Sequence, residues 1–104
     1  MSFFVYHRYG DVQRDPPVSI LPLLLEELEV RLEDQEHMSV SVIHESEWGL
    51  GVYRDGYVTF ENVEGEGEPR HMRNVPRERL LVLMQKVASG DLASLDAEPW
   101  QDGY

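Results

Sequence analysis

The sequence predicts an α+β fold in which an antiparallel β-meander of four to five strands carries two helices packed on one face. Three observations lead there. Two leucine-rich stripes recur at helical spacing, three consecutive runs between them alternate with a period of two, and short polar breaks separate the runs. The chain has 104 residues, room for one ordinary domain spanning 1–104 and little room for two. With 41% hydrophobic residues falling in patterned runs, it can bury a core without metals or disulfides.

The opening residues, 2–9, are aromatic and β-branched enough for a first strand. Asp15-Pro16-Pro17 then breaks the chain, because both prolines fix φ and lack an amide donor. Ser19 is placed to cap a helix, and Pro22 is tolerated in its first turn, where amide hydrogens lack partners anyway. Leu21, Leu24, Leu25, Leu28 and Leu32 form one stripe, and Glu26, Glu27, Glu29, Glu33 and Glu36 fall outside it. The spacing predicts a helix over 19–35 with an acidic outer face.

The middle of the chain is the most legible part. Met38, Val40, Val42 and His44 alternate with Ser39, Ser41 and Ile43. Trp48, Leu50 and Val52 alternate with Gly49, Gly51 and Tyr53; Val58 and Phe60 alternate with Tyr57, Thr59 and Glu61. A two-residue loop at Asp55-Gly56 pairs Val52 with Thr59 and mixes both faces. A three-residue loop, Arg54-Asp55-Gly56, pairs Val52 with Val58 and Leu50 with Phe60, so Trp48, Leu50, Val52, Val58 and Phe60 share one face. Register follows the buried face, which selects the longer loop with Gly56 left-handed. The same parity favours a three-residue loop at Glu45-Ser46-Glu47, pairing His44 with Trp48 and Val42 with Leu50. Tyr53 and Tyr57 then face each other on the outer side.

Residues 64–68 are a charged, glycine-rich loop, and 69–75 read as a short edge strand whose arginines discourage edge pairing. Pro76 opens a second helix, capped by Asn74 or the residue after it. Leu80, Leu83, Met84 and Val87 form its buried stripe and Gly90 ends it. An acidic tail, 91–104, follows, with Leu92, Leu95 and Trp100 as candidate anchors and its order left open.

Charge narrows the function. Twenty acids oppose nine bases, a net charge of −11, so phosphate backbones are repelled and nucleic acid is not an expected partner. A basic protein is the electrostatically favoured one. Residues 26–47 hold eight acids and only Arg31 as a base, whereas 70–86 hold five bases and only Glu78 as an acid, which points to a molecule with two electrostatic poles. There are no cysteines, hence no disulfide scaffold or thiolate chemistry. The longest apolar run, 20–25, is broken by Pro22 and far below membrane-spanning length. No secretory signal pattern opens the chain. The expected location is the cytoplasm, away from membranes.

No catalytic, metal or cofactor site is expected. His7, His37, His44 and His71 lack the spacing of a zinc helix motif. His44-Glu45-Ser46-Glu47 could lend ligands at a strand end, but a turn with solvated charges is the simpler reading. Glu45 and Glu47 as an acid/base pair would need a cleft and shifted pKa values. Gly49-Leu50-Gly51 lacks the later glycine and strand-to-helix context of a dinucleotide loop, and Gly65 and Gly67 sit between glutamates that repel phosphate. Their simpler role, for Gly49 and Gly51, is to leave room on the outer sheet face beneath a tyrosine or a partner. What remains is a surface: Tyr53 and Tyr57, edged by Glu45, Glu47, Glu61 and Glu64, have the composition of a patch for a basic protein. Cross-strand tyrosines also stabilise a sheet that binds nothing.

The plan of the chain resembles the Imm1-type immunity proteins of bacterial polymorphic toxin systems. The likeness runs through the aromatic opening strand, 3–9, the Leu-rich helix and a meander over about 38–63. It continues through Asn74-Val75-Pro76 leading into a helix, Ala88-Ser89-Gly90-Asp91, and Pro99-Trp100. The resemblance implies a small cytoplasmic protein that binds and neutralises a cognate toxin, often one that attacks nucleic acid. It supplies no individual binding residue. The alternative is an intracellular adaptor or homo-oligomer whose acidity serves solubility alone; a small-molecule-binding or enzymatic domain is the third reading.

Overall fold

The computed structural model describes residues 3–8, 10–29, 39–65 and 67–103. Among them the chain runs β1 (Phe3–Tyr6), β2 (Val12–Arg14), α1 (Ile20–Glu29), β3 (Ser39–His44), β4 (Trp48–Tyr53) and β5 (Val58–Asn62). It goes on through β6 (Arg70–Met72), α2 (Arg77–Ser89), α3 (Leu92–Asp96) and β7 (Gln101–Asp102). The described strands form one antiparallel sheet in the order β2-β1-β3-β4-β5-β6-β7. The class is α+β. The end of the expected first helix, 30–35 with Leu32, and the expected strand start at Met38 lie outside the described residues.

Both central turns have the length that parity demands. Across the β4–β5 turn, Val52 pairs with Val58 and Leu50 with Phe60. Tyr53 N–H donates to Tyr57 O at 2.9 Å, and Gly56, at φ +83°, is left-handed. Glycine is required there twice over, because a Cβ would also sit 2.9 Å from Val75 O. Across the β3–β4 turn, Val42 pairs with Leu50, and Glu47 N–H donates to His44 O at 2.9 Å. The left-handed residue of this turn is Glu47, at φ +76°, a conformation that costs an L-residue roughly 1–2 kcal/mol.

With both registers fixed, Val5, Val40, Val42, Leu50, Val52, Val58 and Phe60 lie on one face and are buried. Leu21, Leu24, Leu25 and Leu28 of α1 and Leu80, Leu83, Met84 and Val87 of α2 complete a single core with them. α1 is docked at a second point. Glu27, placed by its spacing on the outer face, is half-buried instead, accepting hydrogen bonds from Arg8 N–H (3.0 Å) and His7 Nδ1 (2.7 Å).

Four local expectations are corrected. Ser19 does not cap α1: the Leu21 N–H goes to Val18 O, and Pro22, at the next position, has no donor to offer. Pro76 is itself the N-cap of α2, its carbonyl accepting from Arg79 and Leu80 N–H with no side-chain cap. Gly90 ends that helix at φ +75° as expected. Residues 70–72 are not an edge, because β7 pairs with them: Arg70 faces Asp102 and His71 faces Gln101. The sheet is larger than four to five strands because β2 and β7 are three and two residues long, too short to print an alternating pattern. The tail adds the five-residue α3, capped by Asp91 through Ser94 N–H.

Leu83 is fully buried between sheet and helices, so Leu83→Ala should lower unfolding free energy by about 2–5 kcal/mol in urea melts. A loss under about 0.5 kcal/mol is the scale of a surface change and would contradict this packing. The two turns should respond oppositely to side-chain exchange. Gly56→Ala should destabilise by about 1–2 kcal/mol or more, and Glu47→Gly should leave stability unchanged or slightly raised. Equal losses in both variants would show that Glu47 is held by contacts rather than tolerated by the turn.

Candidate functional site: the outer face of the sheet

Strand pairing lays out the face opposite the helices in rows. One row runs Arg14, Phe4, Ile43, Gly49 and Glu61 across β2, β1, β3, β4 and β5. The next runs Val12, Tyr6, Ser41, Gly51, Thr59, His71 and Gln101. Ser39 and Tyr53 begin a third, beside Tyr57. The face therefore has an aromatic flank on β1, a glycine centre on β4 and a second aromatic flank at the β4–β5 turn.

The six residues singled out in the sequence fall into two clusters, the tyrosines at one end of the central strands and the acids at the other. Tyr53 and Tyr57 meet with ring centroids 5.2 Å apart. They are half-buried rather than exposed, because Tyr57 also packs on the His71 ring at 5.7 Å and under the Arg73 guanidinium at 5.1 Å. Glu45 and Glu47 stand on the β3–β4 turn and Glu64 on the turn after β5. The two turns are joined by the Val63 N–H to Glu47 O hydrogen bond of 2.9 Å. Glu61 lies opposite Gly49 at the same end. From Glu61 to Tyr57 the strand advances four residues, about 13 Å. Glu61 shares the outer face with the tyrosines, whereas the Glu45 carboxylate lies 3.9 Å from the His44 ring, and the acids and the tyrosines do not form a single patch.

Several contributors were not anticipated. His71 is buried, its Nδ1–H donating to Gly103 O at 2.7 Å. Phe4 and Tyr6 pack edge to face at 5.8 Å, with the Arg14 guanidinium 5.8 Å from the Phe4 ring. Reading Arg70-His71-Met72-Arg73 by parity, as the central strands were read, would have put His71 and Arg73 with the tyrosines.

The glycines do make room, and neighbours use part of it. A Cβ on Gly49 would lie 2.9 Å from Ile43 Cγ1, and one on Gly51 would lie 2.7 Å from Thr59 Oγ1. A shallow trough of about 100 Å³ remains, bordered by Ser39, Ser41, Ile43, Tyr53, Thr59 and Glu61. A larger cleft, about 640 Å³, lies near the β4–β5 turn between Leu25, Leu28, Val75 and Leu80. His44 belongs to the helix side of the sheet. Its Nδ1 accepts from the Ser46 N–H (3.1 Å) and hydroxyl (2.8 Å); its buried Nε2 has no hydrogen-bond partner among the described residues, the Glu45 carboxylate lying 3.9 Å away.

The bases of 70–86 do not form a separate electrostatic pole. Arg77 of α2 pairs with Glu29 of α1, and Arg70 with Asp96 at 2.6 Å. Arg79 and Lys86 both hydrogen-bond Glu98, whose side chain is 7% exposed. Burial opposes ionisation of Glu98, but the hydrogen bonds from Lys86 and Arg79 outweigh it and hold the carboxyl below its ordinary 4.5. On the other flank, the hydrogen bond to Glu27, aided by Gln13, holds the His7 imidazole above its ordinary 6.5.

Among the described residues, no group of three or more His, Cys, Asp or Glu side chains converges on a metal position, and no helix is long and apolar enough to cross a membrane. Comparison of the chain with protein-family models, curated proteins and solved structures returned no match.

Because its folded pKa is depressed, ionised Glu98 contributes stability that is present above its unfolded value and lost as pH falls through the folded one. Glu98→Gln should therefore destabilise at neutral pH, and its gap from the wild type should close well below pH 4.5. Urea melts at both pH values decide this; a gap unchanged in acid would show that Glu98 acts through shape alone.

Proposed function

We propose that this chain is a non-enzymatic binding protein that engages a basic protein through the face of its sheet opposite the helices, in the manner of an immunity protein neutralising a toxin in the cytoplasm. One observation carries the reading. The core joins the sheet to α1, α2 and α3 on a single face, and the opposite face presents aromatic flanks and an acidic end instead of the polar surface usual for a one-sided sheet. Tyrosine is enriched at binding hot spots because it buries a large area at low entropic cost. The net charge of −11 favours encounter with a basic surface. A toxin that acts on nucleic acid must present such a surface to phosphate, so an acidic inhibitor competes for the same ground. The resemblance in element order to Imm1-type immunity proteins supports the inhibitory role.

The test is to capture a protein partner on the tagged chain and measure association and dissociation rates. Reversing Glu45, Glu47 and Glu61 to lysine should slow association severalfold or more at low salt, and the deficit should shrink as salt rises. Tyr53→Ala should act mainly on the dissociation rate. If acidity serves only solubility, all variants will bind alike, and the face is then no binding surface.

A further inference from the structure

The aromatic flank at the β4–β5 turn carries a base that no acid meets; this step rests on the reading of the outer face as a partner surface. Tyr57 is held on three sides, by the Tyr53 ring at 5.2 Å, the His71 ring at 5.7 Å and the Arg73 guanidinium at 5.1 Å. His71 is buried and anchored on Gly103 O. The cluster is thus fixed before anything binds, and little side-chain freedom remains to be lost. Arg70, Arg77, Arg79 and Lys86 each face a carboxylate. Arg73 is exposed and pairs with none among the described residues, in a chain where twenty acids oppose nine bases. Arg54, on the adjoining turn, is exposed and equally without one. The acid of that turn, Asp55, accepts from the Tyr57 N–H at 3.3 Å.

The cluster selects its ligand by chemistry. A guanidinium attracted to a ring keeps its N–H groups, which are donors only and call for an anion. The rings beside it offer apolar surface to a short aliphatic stem. A carboxylate side chain meets both needs, its methylenes against the tyrosines and its two oxygens on the guanidinium fork. The net charge of −11 opposes a multiply charged group such as phosphate more strongly than a single carboxylate. In an exposed pair the gain is small. Under a partner that covers the tyrosines water is excluded, and the same pair is worth more. The acidic turns stand at the other end of β4 and β5, so an acid of the partner at Arg73 also fixes which way round it docks. We propose that Arg73, seated on Tyr57, receives an aspartate or glutamate side chain of the otherwise basic protein partner.

A probe tests the chemistry without the partner. The full chain, labelled for NMR, is titrated at constant ionic strength with acetyl-Gly-Glu-Gly-amide, with its glutamine analogue and with inorganic phosphate. The glutamate peptide should shift the Arg73 Nε–H and Tyr57 ring signals. The glutamine peptide should need a roughly tenfold higher concentration for the same shift, the scale of losing a charge-assisted hydrogen bond. Equal responses to the two peptides, a stronger response to phosphate, or shifts centred on Arg14 beside Phe4 would overturn the site. With a captured basic partner, the sign of one substitution separates the site from bulk charge. Arg73→Glu makes the chain more acidic, so attraction by net charge alone would leave binding as tight or tighter. The site requires the opposite, a dissociation rate raised roughly tenfold or more, with a smaller rise for the neutral Arg73→Gln. Should Arg73→Glu unfold, Arg73→Gln carries the test, and an unchanged or slower dissociation rate overturns the site. The two readings also fail separately. A partner slowed by the acid reversals but held as tightly by Arg73→Glu overturns the site and keeps the face. A partner indifferent to every one of these changes, and to Tyr53→Ala, overturns the face.

Discussion

Parity in the central hairpins is the constraint on which the rest of the molecule depends. Side chains along a strand alternate between faces, so one residue more or less in the β4–β5 turn would put Leu50 and Val52 on the opposite face from Val58 and Phe60. The three-residue turn at 54–56 prevents this, as the one at 45–47 does for Val42 and Leu50, each with a left-handed third residue. The same choice that assembles the core also sends Gly49, Gly51, Tyr53, Thr59 and Glu61 together to the opposite face. The surface argued to bind a partner is thus the complement of the core.

The C-terminal segment closes the other side of the structure. Trp48, Phe60 and Trp100 stack in sequence at 5.1 and 5.4 Å, with the Arg70 guanidinium 5.1 Å from the Phe60 ring. Trp100 Nε1–H donates to Leu95 O at 2.7 Å, and Glu98 receives Arg79 and Lys86 of α2. These contacts make residues 91–103 a strap that joins α2 to β6. They also pair bases with acids inside the fold, so the excess negative charge belongs to the remaining surface.

Legibility in the sequence followed the strength of the local pattern. The core strands and both helical stripes were readable because burial on one face enforces period two or a helical period. Tyr53 opposite Tyr57 followed from that parity alone. The short β2 and β7 were not readable, since they are fixed by tertiary pairing rather than by their own side chains. Glu27 looked solvated because its spacing says nothing of Arg8 and His7, which approach from another element. For the same reason the tyrosine flank was legible and the His71 and Arg73 that embed it were not. The separation of the acids from the tyrosines needed strand lengths as well as parity.

On this reading the partner covers the outer face of the sheet, at its aromatic flanks, and not the helices. Hydroxyl-radical footprinting of the chain, free and bound to its captured partner, tests this most directly because both sides carry reactive side chains. Tyr6, Tyr53 and Tyr57 mark the sheet face, and Leu23 and Val82, 51% and 37% exposed, mark the helices. The account predicts protection of the three tyrosines on binding with Leu23 and Val82 unchanged. Protection of Leu23 and Val82 with the tyrosines still reactive would contradict it.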